Sequence, residues 1–163
     1  MKILVFQTIR DDWVFIISAS TFFFSGLFVT LWDFVAIQGM VYRFTPINIV
    51  GLVLFASGVS LRLVAKRTLG KYYSYGLRLS EKHELIKYGV YSRVRHPISL
   101  AMLVYSSAIP LIFSSLYGFL LMLGLIPCVL YRIRIEERML VQKFGDEYRQ
   151  YMKQTKKLIP FIY

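Results

Sequence analysis

The chain has 163 residues and a formal net charge of +11, from 20 Lys and Arg against 9 Asp and Glu. Its residues are 56% hydrophobic and 17% aromatic, and its mean hydropathy is positive. This composition excludes a disordered chain, a coiled coil and an ordinary soluble domain. It indicates a single domain that uses lipid as part of its solvent.

The first apolar stretch runs from Trp13 to Trp32 without a charged residue, between Asp12 and Asp33. At 1.5 Å per helical residue the two tryptophans lie about 28 Å apart, which is close to the hydrocarbon thickness that such interfacial residues bracket. We therefore predict a membrane span. A cleaved signal peptide fits poorly, because the apolar core is too long and no cleavage site of small residues precedes a polar chain.

Three further spans are predicted downstream. The second covers residues 47–65, where the next charge-poor stretch lies. Residues 97–131 carry no charge at all, and a single helix of that length would measure about 52 Å, too long for a bilayer. We therefore predict a helical hairpin that turns near residues 114–115, with kinks at Pro110 and Pro127.

These spans define a single membrane domain, residues 1–163, in which residues 1–65 hold two spans and residues 66–163 hold the hairpin and the longer polar segments. Eight Lys and Arg fall in residues 66–96 and eight more in residues 132–163. The positive-inside rule places both basic segments in the cytoplasm, and four spans then place both termini there. Topology and contact with lipid headgroups thus explain the basic charge better than nucleic-acid binding does.

Several kinds of site are excluded or disfavoured by the motifs. None of the ten glycines forms GxG, which excludes the Rossmann fingerprint and the P-loop. A single Cys128, two histidines and the absence of HExxH predict no metal site, and the adjacent Glu136 and Glu137 point in different directions on a helix. A Ser-His-Asp triad is disfavoured, because Asp146 is the single aspartate near a plausible inner face.

The segment after the hairpin has the spacing of an amphipathic helix that continues the fourth span out of the membrane. Gly145 followed by Asp146 predicts that this helix stops and restarts. Its apolar face is expected to fold back over the other polar segment. The residues on that face are Glu137, Leu140, Val141, Phe144, Tyr148 and Tyr151.

The two polar segments also carry short motifs in a fixed order. These are Leu69-Gly70, Ser74, His83-Glu84-Leu85-Ile86, Gly89-Val90-Tyr91 and Arg95-His96-Pro97, then Arg132, Glu136-Glu137, Leu140, Phe144-Gly145, Tyr148 and Tyr151. Over about residues 69–163 the chain resembles the isoprenylcysteine carboxyl methyltransferase family, whose wider group includes phospholipid N-methyltransferases. It departs from that family at Ser99, where a tyrosine is usual, and at Tyr73, where a tryptophan is common.

The resemblance implies an all-α integral membrane protein with about four transmembrane helices. It also implies a cytoplasmic pocket for S-adenosyl-L-methionine, formed by the loop after the second span and the C-terminal helix. Arg132 and Glu137 are the catalytic residues that it implies. The residues that it implies for cofactor binding are His83, Leu85, Ile86, Gly89, Tyr91, Arg95, His96, Pro97, Glu136 and Glu137.

The chemistry of these residues agrees with the resemblance but leaves alternatives open. Either Glu136 or Glu137 is a candidate partner for the cofactor amine, and His96 is a candidate donor. The competing interpretations are an ordinary i, i+4 ion pair between Arg132 and Glu136 and a helix-start role for His96.

The expected acceptor is the carboxylate of an isoprenylated cysteine or a similar lipid-like acid, which enters from the membrane between helices. Phospholipid or amine N-methylation is the close alternative. An NADPH-dependent membrane reductase and a binding protein without activity are the others.

Overall fold

The computed structural model describes residues 2–42, 44–73 and 84–159. Within these ranges the regular structure is helical, and an isolated bridge between Val94 and Lys156 is the one strand-like pairing. The α-helices are α1 Lys2–Trp32, α2 Pro46–Leu69, α3 Pro97–Ile112, α4 Leu116–Met122, α5 Leu125–Phe144 and α6 Asp146–Gln154. A π-helical turn, Asp33–Ile37, and two 3-10 turns, Gly70–Tyr72 and Gly89–Ser92, complete the order.

Three helical stretches are long and apolar enough to cross a membrane: Asp11–Ile37, Pro46–Leu69 and Leu116–Phe144. The first two coincide with the predicted spans, and the hairpin turns at residues 113–115 as predicted. The protein is therefore an all-helical integral membrane protein. Helix α3 is apolar but has only 16 residues, so its role as a further full span stays a prediction.

The kink predicted at Pro127 takes the form of a break between α4 and α5. Proline has no amide proton, and its ring excludes the carbonyl four residues earlier, which belongs to Leu123. That carbonyl accepts a hydrogen bond from the Ile126 amide instead, at 3.0 Å. Pro110 lies inside α3, two residues before its end, and a kink there stays a prediction.

The helices form two antiparallel pairs, α1 with α4–α5 and α2 with α3, and glycines set the close approach within each. A Cβ added to Gly51 or Gly58 of α2 would lie 2.7 or 2.8 Å from a backbone nitrogen of α3. Gly118 of α4 likewise meets the side chain of Thr30 on α1. Small residues at these points allow the backbone contact on which helix packing in lipid depends.

We call residues 33–48 together with residues 111–115 the loop end of the bundle. Here the backbone carbonyls at the C-terminus of α3 would lack partners, because a helix cannot satisfy its own last carbonyls. Side-chain donors from Gln38, Tyr42 and Asn48 reach them at 3.1, 3.0 and 2.8 Å. Neutral hydrogen bonds therefore fix this end of the bundle.

Candidate active site

We call the opposite end, formed by residues 84–97 and 132–159, the site end. The segment that follows α6 runs beside the residues that lead into α3. Arg95 and His96 donate their backbone N–H groups to the carbonyls of Lys156 and Lys157, at 2.8 and 3.2 Å. This pairing brings the C-terminal segment against the Arg95-His96-Pro97 motif.

The predicted stop and restart at Gly145 is confirmed, and it directs α6 back over the loop. Gly145 has a φ of +56°, which glycine adopts without strain, and α6 begins at the next residue. In α6 the buried Tyr151 donates its hydroxyl proton to the backbone carbonyl of Tyr91, at 2.6 Å. The apolar face of the helix thus covers the 3-10 turn, as the amphipathic spacing predicts.

Glu137 is a buried carboxylate that joins three parts of the chain. Its Oε1 accepts a hydrogen bond from Nε of Arg95 at 3.0 Å, and its Oε2 lies 3.2 Å from Nζ of Lys157. The Arg95 guanidinium also donates to the backbone carbonyls of Met152, at 3.0 Å, and Thr155. We call Glu137, Arg95 and Lys157 the clamp, because they tie α5 to the start of α3 and to the C-terminal segment.

The His96 ring is buried between the two adjacent glutamates. Its Nδ1 lies 3.5 Å from Oε2 of Glu136, and its Nε2 lies 3.5 Å from Oε1 of Glu137. The carboxylates diverge, as neighbours on a helix must, so each faces a different ring nitrogen. Burial opposes protonation of the ring, but Glu136 and then Glu137 outweigh it and raise the pKa of His96 to about 8. The two carboxylates therefore favour the protonated form of His96 at neutral pH.

The two glutamates differ in access. The Glu136 side chain is 39% exposed and that of Glu137 only 10%, so Glu136 is the carboxylate open to a ligand. Burial and, next, the negative charge of Glu136 raise the pKa of Tyr91 above its ordinary value. Tyr91 therefore stays a neutral hydrogen-bond donor close to Glu136.

Arg132 lies one helical turn before Glu136 and is held by α1. Its Nη1 lies 2.8 Å from Oδ1 of Asp12, and its guanidinium carbon lies 4.6 Å from the centre of the Phe15 ring. The competing interpretation from the sequence was an ion pair between Arg132 and Glu136, four residues on. Asp12, 120 positions away in the chain, is a partner that sequence reasoning missed.

The remaining predicted site residues that the structure describes lie within residues 84–97, which lead into α3. Leu85 and Ile86 are half-buried in the irregular segment 84–87, and Pro97 is the buried first residue of α3. Gly89 is exposed and has a φ of +63°. A cavity of about 350 Å³ lies here, lined by Gly89, Pro97, Leu61, Val90, Ser92, Arg93, Val94 and Leu100. His83 lies outside the described residues.

Sequence reasoning missed two residues that contact the site end, Asp12 and Lys157, and only Asp12 carried a signal in the sequence. Asp12 belongs to an acidic pair beside the first span, in a chain with only nine acidic residues and two large basic segments. An acidic pair at the basic end of a membrane protein indicates a specific cationic partner. Lys157 had no comparable signal, because its contact with Glu137 depends on the path of the segment after α6.

Comparison with known proteins finds relatives that are all described as methyltransferases. The family model described as "Phospholipid methyltransferase" matches residues 47–147. A probable protein-S-isoprenylcysteine O-methyltransferase of Oryza sativa subsp. indica is 31% identical over 71% of this chain. Methanethiol S-methyltransferase 1 of Bradyrhizobium diazoefficiens is 40% identical over 44% of this chain and 25% of its own length.

Among solved structures, the chain is similar to a eukaryotic intramembrane Ras methyltransferase, isoprenylcysteine carboxyl methyltransferase. The TM-score is 0.67 at 25% sequence identity, and the match covers 91% of this chain. The chain spans 62% of the length of the rice relative and 52% of the solved chain. By the extent of the family match, the chain belongs to the phospholipid methyltransferase family, and its resemblance to the isoprenylcysteine carboxyl methyltransferases is confirmed.

Proposed function

We propose that the protein transfers a methyl group from S-adenosylmethionine to the carboxylate of an S-prenylated cysteine or a similar lipid-like acid. The observation that carries this proposal is the order of charges along α5. Arg132, where the apolar part of the helix ends, is followed one turn later by the accessible carboxylate of Glu136, which lies beside a protonated His96. A membrane helix thus leads directly to a cation for the acceptor and a carboxylate for the cofactor.

The donor set of the site fits the cofactor. S-adenosylmethionine carries an ammonium group, a carboxylate and an adenine, which need an acidic partner, a donor and an apolar or aromatic wall. Glu136 would hold the ammonium group, and Tyr91 with Leu85 would wall the base. His96 would donate to the cofactor, since its buried Nε2 lies 3.5 Å from Glu137 Oε1 but makes no hydrogen bond of good geometry among the described residues. When bound, the cofactor supplies a methyl group already activated by its sulfonium.

The protonated state of His96 favours a carboxylate acceptor over an amine. An amine must lose a proton to a base, whereas a carboxylate is already ionised at neutral pH. The two glutamates raise the pKa of His96 to about 8, so its proton-accepting form is the minor one at neutral pH and the ring is a poor candidate for that base. For a carboxylate acceptor the protein needs only to align the acceptor and exclude water, and the planar fork of Arg132 suits the alignment.

We further propose that the site end faces the cytoplasm. The basic segments lie at this end of the bundle, and the positive-inside rule places such segments on the cytoplasmic side. In a background with Cys128→Ser, cysteines at the exposed positions Val41 and Gln150 would report the two sides. An impermeant thiol reagent added to intact cells should label Val41→Cys and leave Gln150→Cys unlabelled. The reverse labelling would contradict this orientation.

A thiol acceptor is the second candidate, favoured by the similarity to a methanethiol S-methyltransferase over residues that make up 44% of this chain. A small thiol would not require the membrane helices to guide it. It would also leave Arg132 without an acceptor carboxylate to align. The two candidates therefore differ in whether Arg132 contributes to turnover.

The deciding experiment is methyl transfer from labelled S-adenosylmethionine by the purified protein in detergent. The acceptors are N-acetyl-S-farnesyl cysteine, its carboxamide, phosphatidylethanolamine and methanethiol. We expect a base-labile methyl ester from the free acid and no transfer to the other three. Transfer to the amine lipid or to methanethiol but not to the acid would contradict the proposal.

Arg132→Lys tests the alignment role within the same assay. Lysine keeps the charge but loses the planar fork, so turnover should fall while cofactor affinity stays close to that of the parent. Arg134→Lys, at an exposed position two residues further along α5, is the matched control. Equal loss in both variants would assign the effect to general charge rather than to the fork.

A further inference from the structure

The contact between α1 and Arg132 presents a carboxylate to the arginine that the proposed function assigns to the acceptor. Asp12 Oδ1 lies 2.8 Å from Arg132 Nη1, and the two side chains are only 17% and 15% exposed. Phe15, three residues on and therefore on the same face of α1, lies under the guanidinium at 4.6 Å. One helix thus supplies both the counter-ion and the surface on which the guanidinium rests.

The chemistry of this contact matches that of the proposed acceptor. A carboxylate on a guanidinium forms a short, charge-assisted hydrogen bond, and Asp12 makes that bond from within the protein. A cation at the end of a membrane span needs such a counter-ion while no substrate is bound, because an unpaired charge there is costly. An acceptor carboxylate that approached Arg132 would meet the negative charge of Asp12 on the same group.

We propose that Asp12 is a specificity-determining residue that pairs with Arg132 in the substrate-free protein and is exchanged for the carboxylate of the acceptor. This inference rests on the proposed function. Its consequence is that a free acid can displace Asp12, because it brings an equivalent charge. A neutral analogue, such as an ester or an amide, lacks the charge that this exchange requires.

Asp12→Asn separates the charge of Asp12 from its shape. The amide oxygen of asparagine still accepts a hydrogen bond from Arg132 and keeps the guanidinium over Phe15, but the competing charge is gone. The measurement is calorimetric binding of N-acetyl-S-farnesyl cysteine, without cofactor, to the full chain in detergent. We expect Asp12→Asn to bind the free acid about tenfold more tightly than the parent does, the scale of one charge-assisted contact that no longer has to be displaced. Its affinity for the carboxamide should be unchanged.

Asp11→Asn is the matched control, because it removes the same charge from the neighbouring residue. Asp11 accepts a hydrogen bond from the Tyr131 hydroxyl at 3.1 Å and does not carry the contact with Nη1 of Arg132. Its acid affinity should stay within about twofold of the parent, since exposed charges are screened by salt. Thermal unfolding of both variants checks that α1 remains docked.

Each outcome separates this inference from the proposed function. If the parent binds the acid and its carboxamide equally well, Arg132 does not recognise a carboxylate, and both the acceptor assignment and the exchange are wrong. If the parent prefers the acid but Asp12→Asn binds it no more tightly, the acceptor assignment stands and the exchange is wrong. Equal tightening by Asp11→Asn and Asp12→Asn would also overturn the exchange, because it would reflect only the overall charge.

Discussion

The loop end and the site end are fixed by different kinds of interaction. At the loop end, Gln38, Tyr42 and Asn48 donate neutral hydrogen bonds to the last carbonyls of α3. At the site end, charged groups meet in buried or half-buried positions, with Glu137 in the clamp and His96 between two carboxylates. The hydrogen bonds at the loop end satisfy backbone carbonyls, whereas the contacts at the site end hold charged side chains close together.

This difference has physical consequences. Neutral hydrogen bonds stabilise the fold to the same extent across ordinary pH, and they offer a ligand nothing to bind. Removing the partner of a buried charge lowers the free energy of unfolding, and the contribution of a buried ion pair depends on the protonation of its groups. We therefore expect variants at the loop end to change stability alone, and variants at the site end to change stability, its pH dependence or ligand binding.

The largest effect is expected from Glu137→Gln. The substitution keeps the shape of the side chain but leaves the buried Arg95 and the half-buried Lys157 without their carboxylate, so the free energy of unfolding should fall by about 3–5 kcal/mol. Denaturation in detergent would measure the loss. Glu136→Gln, at the adjacent but more exposed position, is the control and should lose less, because it removes the contact with His96 and not the clamp. Equal losses would mean that the clamp contributes nothing specific.

At the loop end, Asn48→Ala should cost about 2 kcal/mol, within the range for losing hydrogen bonds at a buried site. The carbonyls of α3 lose one of their donors, the Thr45 backbone N–H loses its acceptor, and Asn48 is almost fully buried. The loss should be the same at pH 6 and pH 9, and cofactor affinity should not change. A loss that varied with pH, or that weakened cofactor binding, would break the distinction between the two ends.

The pH dependence of stability should report His96. Its pKa is raised from 6.5 to about 8, so the stabilisation is fully present below pH 6.5 and is lost as the pH rises through 8. The raised pKa corresponds to about 2 kcal/mol. Unfolding measured from pH 6 to pH 9 should show this loss in the parent and not in His96→Gln. An unchanged slope in His96→Gln would assign the titration to another group.

The smallest effect is expected for the ion pair between Lys87 and Glu147, which lie 2.6 Å apart at the surface of the site end. Exposed pairs contribute little because water screens them and both side chains lose freedom. Lys87→Ala should change the free energy of unfolding by about 0.5 kcal/mol or less in the same denaturation assay. A loss as large as that of Glu137→Gln would show that burial does not govern the charges at this end.

Local signals in the sequence predicted much of the fold. Hydropathy placed the first two spans, the charge-free length of residues 97–131 required the hairpin, and Gly145 marked the turn into α6. Each of these features depends on residues close together in the chain. The sequence predicted a kink at Pro127, whereas the structure has a break in the helix at Leu123. The sequence alone does not show whether a proline bends a helix or interrupts it.

The motifs singled out residues that the structure brings together at the site end, but they could not predict the contacts between them. The motifs brought His96, Glu136 and Glu137 to attention, yet the sequence could not tell which glutamate is accessible, since that depends on the rotation of α5. Nor could it pair Arg132 with Asp12, because the register between α1 and α5 is set by packing along the whole interface.

The most direct test of the account is calorimetry of the protein in detergent with S-adenosylhomocysteine and, separately, with NADPH. The account predicts that the parent binds S-adenosylhomocysteine and not NADPH. It also predicts that Glu136→Gln loses about 2–5 kcal/mol of binding free energy, the scale for truncating a buried charged hydrogen bond. Binding of NADPH by the parent, or binding of S-adenosylhomocysteine by Glu136→Gln with the affinity of the parent, would contradict it.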